Sequence, residues 1–191
     1  MCRLRMSGSL NLRFNGPGEV VREALYFDYV KTRLGTFRLA ASERGLTAIQ
    51  FPGQFAFQKK SNGKTPESAR KALQAGNRFL KRYFSGKMSQ NFNIPMDWQK
   101  LSPFETRVLK ALRKVPPSSV TDYSTLARIS GVPNGARAVG NALGRNPFPV
   151  LIPCHRVVHK DRSLGGFSSG LNWKRKLLSL EKNGLGVKKK H

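Results

Sequence analysis

The chain has 191 residues, with 35 Lys+Arg against 10 Asp+Glu for a formal charge of +25, and its hydrophobic and aromatic shares are 39% and 9%. That is apolar material for one domain or two small ones and excludes a wholly disordered, charge-dominated chain. Two cysteines exclude a disulfide-rich secreted scaffold, and no apolar run approaches the roughly 18–20 residues that span a bilayer.

Residues 1–24 are rich in Gly, Asn and Arg without periodicity and read as a flexible basic leader. The basic start Met1 to Arg5 has no apolar segment behind it, so a secretory signal is not expected and the expected compartment is the reducing cytoplasm. From Leu25 to Val30, Phe37 to Ala41 and Leu46 to Phe51 the composition is that of strands. They are separated by Arg33-Leu34-Gly35 and Glu43-Arg44-Gly45, which predicts an antiparallel meander. Glu67 to Phe84 switches to helical spacing, with Ala69, Ala72, Leu73, Gly76, Leu80 and Tyr83 on one face and Gly86 as the stop. Phe92-Asn93-Ile94 is a candidate further strand before Pro95. Residues 25–97 are thus read as a small N-terminal α/β unit.

A second unit, residues 98–184, opens on Ser102-Pro103-Phe104-Glu105. This is a capping box with Pro at the first helical position, and it predicts a helix to about Val115 with Phe104, Val108, Leu109 and Leu112 inward. Thr121 to Ser130 and Asn134 to Leu143 read as two short helices joined through Gly131 and Pro133, a helix-turn-helix pattern. In the second of these, Val139 and Leu143 share the core face. The rest is Ala136, Ala138, Gly140 and one Arg137, where a solvated face of so basic a chain would carry charge. Two readings fit this: a DNA-contact helix with an arginine probe, or a helix packed closely on a neighbour. The charge has the same two sides, a polyanion partner such as nucleic acid or a merely solvated basic surface. Lys188 to Lys190 belong to a basic tail, residues 185–191.

Pro147 to Val158 carries three prolines around an apolar run and then Cys154-His155-Arg156. An adjacent imidazole and guanidinium can lower a thiol pKa, although for a bare Cys-His pair a buried structural cysteine is the commoner arrangement. In the last helix, about Asn172 to Asn183, Trp173, Leu177 and Glu181 recur every four residues. Glu181 therefore lies near an apolar face and in the last turn, where a carboxylate opposes the helix dipole. Such a group needs a cationic or imidazole partner. Apart from His155 and His159 alone, no pair of cysteines or histidines has the ligand spacing of a structural metal site, so no metal is expected, and no cofactor either.

Pro153-Cys154-His155-Arg156-Val157 resembles the active-site signature of the O6-alkylguanine-DNA alkyltransferases. The resemblance extends through Ser102-Pro103-Phe104, Ala136 to Gly140, Arg145-Asn146-Pro147 and Gly165 to Leu171, and more loosely through residues 33–46. It implies an α+β architecture, a ribonuclease-H-like sheet unit followed by a mostly helical unit with the helix-turn-helix. It also implies a monomer that binds duplex DNA containing O6-alkylguanine, away from membranes. Such proteins flip the damaged base out through the minor groove and move its alkyl group irreversibly to cysteine.

Carried over by that resemblance, Cys154 is the nucleophile, and His155 takes its proton through a water. Glu181 orients His155, and Asn146 supports the thiolate. Tyr123 faces the base and donates to N3. Arg137 fills the space the base leaves, while Ala136, Ala138 and Gly140 allow close approach. Val157, Phe167 and Ser168 line the guanine pocket, and Pro149 walls the alkyl group. Phe167 stands where many relatives have Tyr. The cysteine itself separates this chain from non-reacting alkyltransferase-like damage binders. A helix-turn-helix regulator would present Arg, Asn or Gln to base edges, where this helix offers mainly Ala and Gly.

Overall fold

The computed structural model describes residues 11–14, 20–57, 65–88 and 92–184. Strands β1 (Asn11–Phe14) and β2 (Val20–Glu23) pair antiparallel. The leader therefore holds a hairpin where no regular element was expected. The three-stranded sheet β3 (Tyr26–Thr32), β4 (Gly35–Ser42) and β5 (Gly45–Gln50) is the expected meander, in the order β3-β4-β5. Alternation along it sends Val30, Phe37, Leu39, Leu46 and Ile49 inward. Helix α1 (Glu67–Phe84) covers that face with the six residues its spacing foretold, plus Phe84.

Phe92 to Ile94 does not form a strand. Pairing there is limited to a bridge between Leu46 and Met96, where Leu46 N–H donates to Pro95 O at 2.8 Å and Asp97 N–H to Leu46 O at 2.7 Å. Pro95 has no N–H to extend a ladder. At Gly45 (φ +144°) a Cβ would stand 2.6 Å from the Pro95 carbonyl, so this close approach requires glycine.

Helix α2 (Pro103–Leu112) starts on the expected capping box, with Val108, Leu109 and Leu112 buried. Helix α3 (Tyr123–Ile129) begins two residues later than its sequence indicated. Thr121 and Asp122 form a short strand β6 that pairs parallel with β7 (Val157–Val158), and Asp122 then caps α3 by accepting from Ser124 N and Thr125 N. That pairing carries Tyr123 to the segment that follows Cys154. Helix α4 (Ala136–Gly144) completes the helix-turn-helix, and α5 (Leu171–Gly184) closes the fold.

One continuous apolar core runs through both halves. Trp173 of α5 packs on Phe37 and Phe51 of the sheet at ring distances of 5.6 and 4.8 Å. No helix among the described residues is long and apolar enough to cross a membrane.

Candidate active site

Asn146 shapes the segment that presents the cysteine. Its Nδ2 donates to Ile152 O at 2.9 Å and to Cys154 Sγ at 3.2 Å, while its Oδ1 accepts from Phe148 N at 2.9 Å. One side chain thus closes the bend 147–154 and touches the sulfur. The bend includes Val150 at φ 72°, a conformation that costs a β-branched residue on the order of 1–2 kcal/mol. Pro149 is buried in the same turn and bridges Ile152. Upstream, Arg145 pairs with Glu105 at 2.8 Å. The same Glu105 forms the α2 capping box, so the end of α4 is tied to the start of α2.

A short 3-10 turn, Cys154–Arg156, places three consecutive side chains in different surroundings. His155 is fully buried, its Nε2 2.7 Å from Glu181 Oε1. Arg156 turns to the same carboxylate, with Nη2 2.7 Å from Oε1 and Nε 3.0 Å from Oε2. Ser118 N–H reaches Oε2 at 3.1 Å from a backbone held at φ 61°. Tyr83 of α1 donates its hydroxyl proton to Oε1 at 2.8 Å. Glu181 is fully buried, so its place on an apolar face is explained by this ring of donors. His155 Nδ1 is buried without a hydrogen-bond partner among the described residues.

Electrostatics divide these groups. Burial raises the Glu181 pKa, but hydrogen bonds from His155 and Arg156 and the arginine charge outweigh it and hold the carboxyl at about 2, fully ionised. Burial lowers the His155 pKa despite Glu181, leaving a neutral imidazole free to accept a proton. Burial likewise raises the Cys154 pKa; the Asn146 hydrogen bond and the Lys174 charge oppose it without overcoming it. The resting group is therefore a thiol, which accords with the buried cysteine that the sequence left open beside a thiol activated by its neighbours. Adjacency in sequence did not bring the guanidinium to the sulfur, because Arg156 is spent on Glu181.

Lys174 on α5 is fully buried, and its pKa is lowered to about 8 by burial, with Cys154 pulling the other way. Its Nζ donates to Val157 O at 2.6 Å, to Leu164 O and to Gly166 O at 3.3 Å, pinning β7 and the loop 163–170 together.

Tyr123 stands between α4 and that loop. A Cβ on Gly140 would meet its ring at 3.8 Å, and one on Gly165 (φ +62°) would lie 2.7 Å from its hydroxyl, so glycine at 165 leaves the room the phenol uses. Burial raises the Tyr123 pKa and Cys154 adds to this, so the phenol keeps its proton. The His159 ring lies 5.4 Å away, and with Ala136, Asp161 and Ser163 the two rings line an open groove of about 610 Å³. Cys154, only 5% exposed, is not part of that lining.

On α4, Val139, Ala142 and Leu143 are buried, whereas Arg137, Ala138, Asn141 and Gly144 face solvent. Of the small residues, Ala138 is bare, while Ala136 is half-buried and Gly140 lies beneath Tyr123. Val157 is buried in β7, and Phe167 is half-buried, edge-on to Phe51 at 5.9 Å. Ser168 is exposed, outside the hydrogen-bonded group around Cys154 among the described residues.

Sequence reasoning had placed Tyr83 in the core and missed its hydroxyl, and it had not singled out Lys174 or Ser118. A tyrosine at helical spacing reads as packing, and one lysine among so many gives no signal.

Family models match both halves of the chain. The DNA binding domain of 6-O-methylguanine DNA methyltransferase matches residues 103–183, and its ribonuclease-like domain matches residues 25–98. A methylated-DNA–protein-cysteine methyltransferase of Methanosarcina barkeri is 36% identical over 168 residues, covering 84% of this chain and 99% of its own. The Haemophilus influenzae protein of that name is 33% identical over 163 residues, covering 83% and 87%. Among solved structures, Mycobacterium tuberculosis OGT in complex with DNA superposes with a TM-score of 0.68 at 31% identity, covering 83% of this chain and 93% of that one. With the ionised Glu181, neutral His155 and Asn146-held Cys154 set between a sheet unit and a helix-turn-helix, these matches place the chain in the 6-O-methylguanine DNA methyltransferase family.

Proposed function

We propose that this protein repairs O6-alkylguanine in duplex DNA by moving the alkyl group irreversibly to Cys154 Sγ. The supporting observation is the grouping of Asn146, Cys154, His155 and Glu181. It gives a thiol held by one hydrogen bond, a neutral buried imidazole next to it in the chain, and an ionised carboxylate fixing the far nitrogen of that imidazole. This is the nucleophile, base and orienter pattern of covalent catalysis.

In the reaction, the bond from guanine O6 to the alkyl carbon breaks and a bond from that carbon to Sγ forms. The thiol proton passes to His155 Nδ1, directly or through a water. The imidazolium that forms is stabilised by Glu181. The departing guanine becomes anionic and takes a proton from Tyr123, which is protonated at rest and whose ring borders the groove, and the proton gained by His155 returns to the phenolate through solvent, so that the phenol and the neutral imidazole are both restored. The thioether is stable, so each chain reacts once. Lowering the barrier therefore falls to the base and to positioning, since the sulfur rests as a thiol.

Access to the base comes from α4. Its exposed Ala138 lets the helix lie close to the duplex, and Arg137 projects to occupy the space the flipped base leaves, offsetting an unstacking cost of a few kcal/mol. Residues 25–97 and 98–184 act as the two units, the first supporting and the second reacting. Val157, Phe167, Ser168 and Pro149 surround the base and its alkyl group when the 163–170 loop admits them. The protein works in a reducing compartment, where the thiol persists.

The test is Cys154→Ala. It is expected to bind duplex DNA containing O6-methylguanine as the parent chain does and to remove no methyl. Undiminished removal would exclude Cys154 as acceptor.

A further inference from the structure

The hydroxyl of Tyr83 has no packing reason to be where it is. The ring stands among Phe79 and Phe84 on α1, at 6.1 and 5.2 Å, and a phenylalanine would fill that space equally. Instead the buried hydroxyl points across the boundary between the two halves into the Glu181 and His155 pair. It lies 2.8 Å from Glu181 Oε1 and 3.3 Å from His155 Nε2, residues 98 and 72 positions away in sequence.

We infer that Tyr83 is a positioning residue for the proposed alkyl transfer, acting from the sheet unit on the base of the helical unit. This rests on the reading of His155 as that base. Glu181 Oε1 must accept from His155 Nε2 for the lone pair to remain on Nδ1. Tyr83, donating to the same oxygen, fixes where that oxygen sits and takes up part of its charge. With its own pKa raised well above the ordinary tyrosine value by burial and by Glu181, Tyr83 keeps its proton and remains a donor throughout. The charged and titratable groups facing His155 are then Tyr83 from α1, Glu181 and Lys174 from α5, and Arg156 and Cys154 beside it in the chain. Among the described residues, Tyr83 alone of these comes from the N-terminal half, so the grouping is incomplete without that half.

Tyr83→Phe removes the hydroxyl and nothing else. Single-turnover methyl transfer from a duplex containing O6-methylguanine, measured across pH on the full chain, is expected to slow about tenfold. That is a fraction of the ~10²–10⁴ a general base supplies. Duplex affinity and the final one-methyl stoichiometry stay unchanged. Without the hydroxyl, more of the Oε1 charge is left to hold the imidazolium. His155 then keeps its proton to higher pH, and the acid limb of the rate profile moves up.

In a Glu181→Gln background the same substitution is expected to add no further loss, because its effect runs through that carboxylate. A parental rate and acid limb for Tyr83→Phe, or an equal loss in the Glu181→Gln background, would overturn the assignment while leaving the transfer reading intact. A parent chain that takes up no methyl would overturn that reading itself, and this inference with it.

Discussion

At the scale of single residues, the site is organised by what burial does to charge. Glu181 accepts from Tyr83, His155, Arg156 and Ser118 and remains ionised in the interior. Breaking a buried pair by removing one member leaves an uncompensated charge and costs about 3–5 kcal/mol. Arg156→Ala is therefore expected to destabilise the fold by that order in denaturant titration, whereas Arg137→Ala, on an exposed face, leaves stability unchanged and weakens DNA binding and transfer. The acid behaviour follows from Glu181 as well. Its folded pKa, about 2, lies below the ordinary carboxylate value of 4.5, so its contribution is present above that ordinary value and is lost as pH falls towards 2. Acid unfolding followed by circular dichroism is expected to show this dependence in the parent chain and to lose that part of it in Glu181→Gln. Much of this was legible beforehand: a carboxylate on an apolar stripe and against a helix dipole demands a partner. For the sulfur the sequence left two readings open, an activated thiol and a buried cysteine, because neighbours in sequence say nothing of burial.

At the scale of elements, the sheet and α1 follow from local rules. Glycine-containing turns divide the strands, and the spacing of Ala69, Ala72, Leu73, Leu80 and Tyr83 defines one face of α1. What local rules left out is pairing between distant segments. Thr121 and Asp122 leave the helix to join Val157 and Val158, and that junction sets Tyr123 beside the reactive turn. Phe92 to Ile94 had strand composition, but Pro95 ended any ladder. The loop 163–170 is held by Lys174, and the sulfur does not line the groove beside it. Lys174→Met strips three carbonyls of their shared donor. Amide exchange in residues 163–170 is expected to rise at least tenfold, corresponding to about 1.4 kcal/mol or more. Unchanged protection there would contradict the clamp. On α4, Ala138→Glu is expected to leave the melting temperature unchanged and to reduce duplex affinity about tenfold or more, as a carboxylate meets phosphates.

For the whole molecule, the two halves share one core and one reactive centre. The sheet packs on Trp173 of α5, and α1 reaches the carboxylate that fixes the base. The chain carries a net charge of +25. A charge of that size attracts a polyanion such as DNA through release of the counterions on its phosphates. Affinity for any duplex is accordingly expected to fall steeply with salt, by a slope of about 0.9 for each phosphate neutralised. The preference for O6-methylguanine over guanine changes little, since both share the backbone contacts. A flat salt response would remove the charge from the account.

The central claim is that Cys154 receives the alkyl carbon. It is tested most directly by mixing the full chain with an equimolar duplex containing O6-methylguanine, digesting it and weighing the peptide that carries Cys154. The account predicts a gain of one methyl group on that peptide, reaching one per chain and then stopping. A peptide of unchanged mass, with the lesion still in the DNA, would contradict it.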